Sequence, residues 1–216
     1  MIQVSDIVAK VGYLMLDTDH VRWTVPELIG WINESAGAIL TRRPAAFARR
    51  SVHTLVAGTL QSIPAGGAML LDVVRNIGAD GVKPGEAIRR TDRQLLDDSD
   101  PNWHTTKQKS VVKQYTYDDR APLIFYVYPP VNAGVKVELM DSALPPSVDD
   151  VADMFDIGNE YTEAVVNYVA YRANIKDSEY ASPAAAVNYY QAFEAALGIK
   201  SQTQAMASPN QPANSV

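Results

Sequence analysis

The hydrophobic period changes twice along this chain, and that constrains the fold more than any single motif. Apolar residues recur at helical spacing to about residue 42, at a spacing of two from about residue 51 to 143, and at helical spacing again beyond residue 158. In the first stretch Ile7, Val8, Val11, Leu14 and Met15 share a face behind Ser5 as N-cap, which predicts a helix near 5–16. A second helix near 25–42 starts at Thr24-Val25-Pro26-Glu27, the S/T-x-x-E form of a capping box. Trp23 and Leu28 fall at the two positions of a hydrophobic staple, and Leu28, Trp31, Ile32, Ser35 and Ile39 form the expected buried stripe.

The middle of the chain alternates. Val111 to Tyr117, Leu123 to Tyr128 and Val135 to Leu139 each read as a strand, and the apolar runs at 52–57 and 68–74 offer more. Asp118-Asp119-Arg120 and Asn132-Ala133-Gly134 supply turn chemistry between them, so an antiparallel meander is the simplest path. After Leu144-Pro145-Pro146-Ser147, helices are expected near 158–176 and 183–197, the last with Ser182 as N-cap, Pro183 at the first position and Gly198 past the end. Residues 199–216 carry one charge, Lys200, and only Ile199, Met206 and Val216 as sizeable apolar side chains, a composition expected to stay disordered.

The expected fold is therefore α+β. A four-helix bundle from 1–50 and 144–198 carries an inserted antiparallel β lobe at 51–143 and a flexible tail at 199–216. With 216 residues, 47% hydrophobic and 20% charged, the chain has the composition of a globular protein. No apolar run approaches the roughly 20 residues needed to cross a bilayer, and MIQVSDIVAK has no signal-peptide core, so a soluble, non-exported chain without membrane contact is expected.

The chemistry the sequence excludes is as informative. Without cysteine there are no disulfides, thiolate metal sites or cysteine nucleophiles. His20, His53 and His104 lack the spacing that puts two ligands on one helix face. The run from Asp97 to Asn102 starts like a calcium loop but has Trp103 in place of the required glycine and Lys109 in place of the bidentate glutamate. The glycines form neither a dinucleotide fingerprint nor a P-loop, and no serine sits in a nucleophile motif. No catalytic residue, metal or cofactor is expected. A net charge of −6 disfavours tight general binding to nucleic acid. The pairs Arg42-Arg43, Arg49-Arg50 and Arg89-Arg90 can bind carboxylates on a partner or lie in ordinary surface ion pairs, and the 11 tyrosines suit both interfaces and core edges.

Several stretches together resemble the head-to-tail adaptor proteins of tailed bacteriophages. They are LDTDHVRWTVPELIGWINE (16–34), LVAGTLQSIP (55–64), LLDVVRNIGADG (70–81), AIRRTDRQLLDDSDPNWH (87–104), FYVYPP (125–130), YTEAVVNYVAYRANIKDSEYA (161–181) and AAVNYYQAF (185–193). The resemblance covers about residues 2–198. It implies a structural virion protein at the head-tail junction, assembled in the host cytoplasm. Such a protein docks on the portal protein as a ring of neighbouring copies with the portal's twelve-fold symmetry, above a tail tube or nozzle protein, and double-stranded DNA passes through it without specific binding. On that reading Ile199, Met206 and Val216 anchor the tail to the portal, and Arg42, Arg43, Arg49 and Arg50 supply ring or portal contacts. Two other classes stay open: a phage-associated hydrolase whose carboxylates or metal ligands meet only in space, and an assembly chaperone that binds a partner reversibly.

Overall fold

The structure, a computed structural model, describes residues 1–176 and 180–207, with side chains described to residue 198. The chain opens with β1 (Ile2–Gln3), α1 (Val4–Leu14) and α2 (Val25–Arg42). Next come β2 (Ala48–Thr54), β3 (Gly58–Ser62), β4 (Gly67–Ile77), β5 (Pro84–Ala87), β6 (Arg89–Arg90), α3 (Arg93–Ser99), β7 (Gln114–Thr116), β8 (Ile124–Val131) and β9 (Lys136–Ala143). The last are β10 (Met154–Phe155), α4 (Thr162–Ile175) and α5 (Pro183–Ala207). These elements form two compact units, Met1–Ala46 with Pro145 onward, and Phe47–Leu144.

In the first unit α4 is the central helix, packed against α1, α2 and α5. It fits there because five of its six buried positions are small or β-branched, Ala164, Val165, Val169, Ala170 and Ala173, which lets neighbouring helices approach closely. The capping box at Thr24 and Glu27 is formed, with the Thr24 N–H donating to the Glu27 carboxylate at 3.2 Å. Helix α1 ends in a Schellman motif: the Leu16 N–H reaches the Tyr13 carbonyl at 3.3 Å and the Asp17 N–H reaches that of Gly12 at 2.9 Å. Leu16 takes the left-handed position usually held by glycine, at φ 54°.

The expected four-helix bundle is not what forms. Among the described residues there are five α-helices and ten strands in three sheets. The helical unit also contains an antiparallel ribbon, β1 with β10, which pairs Ile2 with Phe155 ahead of α1. The fifth helix, α3, lies in the β unit, where Asp92 caps it by accepting from the Gln94 N–H at 2.8 Å. The helix expected near 158–176 begins later, because Asn159–Tyr161 is a 3-10 turn, and α5 continues past 197 to Ala207. The disordered tail expected at 199–216 thus begins within a helix, and positions 208–216 lie outside the described residues.

The second unit is built from two four-stranded sheets, ordered β2-β9-β4-β5 and β3-β8-β7-β6. Their inner faces share one core that includes Leu70, Val73, Val137 and Leu139 from the first sheet and Tyr115, Phe125, Val127 and Val131 from the second. A simple meander fails here for a definite reason. Both sides of β9 are taken by β2 and β4, and both sides of β8 by β3 and β7, so the 132–134 turn carries the chain from one sheet to the other. The β region is also not wholly antiparallel, since β6 pairs with β7 in parallel, Arg89 opposite Gln114.

Candidate functional site

Strand β9 carries two carboxylates that the fold buries. Asp141 and Glu138 are three residues apart and so point to opposite faces of the strand. Asp141 is fully buried and directly opposite Arg49 of β2. The Arg49 guanidinium grips it with Nε at 2.9 Å and Nη2 at 2.8 Å from Oδ2, and Nη2 also donates to the Ala65 carbonyl at 3.1 Å. Glu138, 6% exposed, lies between two guanidiniums, that of Arg50 on β2 at 3.3 Å and that of Arg75 on β4. A buried carboxylate needs such a partner, because desolvation is costly unless the charge is paired. Around Glu138 two cations share one anion, so this face of the sheet keeps an excess positive charge. His53 on β2 lies on the other face, opposite Val137 and on the side of Asp141, and burial pushes its imidazole below the ordinary 6.5, although a backbone hydrogen bond at Ser62 and the Asp141 charge act the other way.

The remaining arginines of interest lie on the helical unit. Arg42, in the last turn of α2, hydrogen-bonds the Tyr190 hydroxyl, reaches Glu194 at 3.4 Å and lies over the rings of Tyr190 and Phe193, tying α2 to α5. Arg43 forms the C-cap of α2, where its N–H donates to the Ile39 carbonyl at 2.6 Å. Arg42, Arg49 and Arg50 are thus each engaged within the chain while keeping half-exposed or exposed side chains. The four arginines do not form one site: Arg42 and Arg43 belong to the helical unit, Arg49 and Arg50 to the β unit. Ile199 and Met206 fall within α5 with their side chains outside what is described, and Val216 lies outside the described residues.

Many tyrosines serve packing. Tyr168, Tyr171 and Tyr190 form a ring network with Phe193 along α4 and α5, with centroids 5.0 to 6.0 Å apart. The Tyr115 hydroxyl donates to Asp72 at 2.8 Å, and burial first, then that carboxylate, raises its pKa. The residues from Asp97 to Asn102 are committed to structure as well: Asp97 accepts from the Trp103 indole at 2.8 Å, and Asp100 accepts from the Asn102 N–H at 3.1 Å. Trp103 is fully buried and stacks on His104, whose Nδ1 is 2.8 Å from the Thr59 hydroxyl. Among the described residues no three histidines or carboxylates come together in a way that could hold a metal ion. No helix among them is long and apolar enough to cross a membrane.

Sequence reasoning missed Asp141, Glu138 and Arg75. One signal was available. Glu138 interrupts Val137 and Leu139, and a lone acid in an apolar strand calls for a cation on the neighbouring strand. Which cation answers it depends on a pairing between residues far apart in the chain.

No curated protein matches the chain. The family described as SU10 adaptor protein matches residues 2–213, and this match takes in both compact units. The chain belongs to the SU10 adaptor protein family, and is a phage adaptor protein.

Proposed function

We propose that this adaptor joins the portal of a tailed phage to its tail, as a ring of identical copies around the DNA channel at the head-tail junction. The observation that carries the reading is the family match over 2–213. The architecture supports it, because a helical unit and a separate β unit offer two kinds of surface, suited to a partner above and a copy alongside. The role is structural. Ile199, Met206 and Val216 act as portal anchors, while Arg49 and Arg50, held on buried acids and still open to solvent, supply fixed positive charge for a neighbour. The net charge of −6 repels phosphate, which favours passage of DNA over retention.

Sedimentation of the chain with the cognate portal ring tests this directly. A full ring of copies added per portal is the expected result, and a chain truncated after Gly198 should stay folded and fail to add. Folded protein that never co-sediments with intact portal would remove the connector role, and turnover of a cell-wall or nucleic-acid substrate would replace it with a hydrolase.

A further inference from the structure

One face of the strands β2, β9 and β4 is cationic by its register. Arg50 and Arg75 flank Glu138, Val52 stands opposite Glu138 on β2, and Lys136 lies two residues along β9 on the same face. The acids of this face are Glu138, already shared, and Asp72 opposite Met140, whose carboxylate accepts from the Tyr115 hydroxyl at 2.8 Å. Three cations therefore stand against two engaged acids. The Arg50 side chain is 62% exposed, and its fork keeps N–H donors beyond the one turned to Glu138. Val52 is half-exposed, so the face offers apolar contact as well as charge.

The helical unit carries the opposite charge. Residues 47–144 hold 12 Lys and Arg against 11 Asp and Glu, and the rest of the chain holds seven against 14, which gives the β unit a net charge of +1 and the helical unit −7. No Lys or Arg occurs between Lys136 and Arg172, the stretch in which Asp149, Asp150, Asp153 and Asp156 follow closely. The fold concentrates these acids further. The Val4 and Ser5 N–H groups donate to the Asp153 and Val151 carbonyls at 3.0 and 2.9 Å, which sets Asp6, in the first turn of α1, beside them. Asp6, Asp149, Asp150 and Asp156 are exposed and form no ion pair among the described residues, and Met154 is half-exposed in their midst.

We propose that the face bearing Arg50 and Arg75 on one copy docks on the acidic segment 149–156 of the next copy, with Val52 and Met154 at the apolar centre of the contact. The proposal rests on the ring reading above and names the two surfaces of its lateral contact. Every copy carries one surface of each kind, so cations and acids match copy for copy. The contact is heterologous, and a heterologous contact closes into a ring when its rotation allows. Glu138 holds both guanidiniums before docking, which lowers the ordering cost of association. Like charge meanwhile keeps two arginine faces, or two acidic segments, from pairing with each other.

Charge exchange tests the contact, read as copies that sediment with the cognate portal ring. Asp149 and Asp156 are the acids to change, since Asp150 and Asp153 accept backbone N–H groups of their own loop. Arg50→Glu in one chain, and Asp149→Lys with Asp156→Lys in another, should each weaken ring assembly by about ten-fold or more while circular dichroism stays native. An equimolar mixture of the two defective chains should assemble, because its seams alternate between a reversed face on a reversed segment and a native face on a native segment. A contact of these acids with portal gives no such rescue. Should Arg50→Glu fail to fold, Arg50→Lys keeps the charge and supplies an amine. Carbodiimide coupling in rings of mixed isotope-labelled and unlabelled chains should then join position 50 to Asp149 or Asp156 of another copy. Full rings from either defective chain, loss without rescue in the mixture, or coupling that never reaches 149–156 of another copy overturn the contact and leave the ring standing. Folded parent chain that adds no ring to intact portal overturns the ring and the contact together.

Discussion

Among the described acids of the helical unit, Asp17 accepts the most backbone hydrogen bonds. Its carboxylate accepts the N–H groups of Val21 at 3.1 Å and of Arg22 and Trp23 at 3.0 Å, holding the turn that delivers Trp23 to the core and Thr24 to its cap. Burial by itself would raise its pKa, but the three backbone donors and the Arg22 charge outweigh burial and hold it below the ordinary 3.8. A carboxyl with a lowered native pKa binds protons more readily unfolded than folded. Its stabilisation is complete above the ordinary value and fades as pH falls through the native one. Replacing Asp17 with Ala should cost about 1–3 kcal/mol near pH 7, the usual loss when buried donors are left unpaired. Urea midpoints of parent and variant followed from pH 7 to pH 2 should converge at the acid end, and a gap that stays constant with pH would assign the effect to packing instead. The cap that Asp17 serves was legible, because Thr24 and Glu27 are three residues apart in the sequence. The clamp itself was not, because its partners are backbone groups that any residue at 21–23 would supply. The Schellman end of α1 was hidden for a related reason: Leu16 stands where glycine would have announced it.

At the scale of elements, side-chain amides do work that strands usually do. Asn33 on α2 donates to the Val148 carbonyl at 2.8 Å and accepts the Val148 N–H at 2.9 Å, pairing with that residue much as a strand neighbour would. Gln61 on β3 does the same with Val56, at 2.9 Å each way. Asn76 on β4 is the most consequential. It accepts the Val112 N–H at 2.8 Å and donates to the carbonyls of Val112 at 2.7 Å and Glu86 at 3.0 Å, so one buried side chain secures β4 to the segment entering β7 and to β5. Asn76→Asp keeps the shape and the acceptor but removes both donations and adds a charge facing two carbonyls. It should destabilise the β unit by about 2–3 kcal/mol, at least as much as Asn76→Ala, measured by chemical unfolding near neutral pH. Equal stability of the Asp variant and the parent would mean that the Nδ2 contacts contribute nothing. The alternation of β8 and β9 was readable from Phe125, Val127, Val137 and Leu139, but their assignment to different sheets was not. That assignment depends on β2, β3 and β4, strands from earlier in the chain, having already taken the flanks of β8 and β9.

At the scale of the whole molecule, the chain passes between its two compact units, Met1–Ala46 with Pro145 onward, and Phe47–Leu144, at two places, whereas helical spacing in the sequence returns only beyond residue 158. The first and last strands of the β unit are neighbours, with Ala48 opposite Ser142, so its two ends leave and return about 5 Å apart. An insertion with adjacent ends imposes little closure entropy on the chain that hosts it. The β unit has its own core, Phe125, Val127, Val131, Val137 and Leu139 being fully buried within it, and the helical unit has another around Ile7, Leu28, Ile32 and Val165. Each should therefore fold without the other. A chain with 47–144 replaced by a short Gly-Ser linker should keep native-like helical circular dichroism and unfold cooperatively, and residues 47–144 alone should give a dispersed amide spectrum. A helical unit that loses cooperativity when the β unit is removed would show that its core is completed by the insert. If both pieces fold, they also separate the roles proposed for the ring: the isolated β unit, which carries Arg49 and Arg50, should retain any contact those arginines make with a neighbour, while the linker-bridged helical unit, which keeps the C-terminal segment, should retain any affinity for portal.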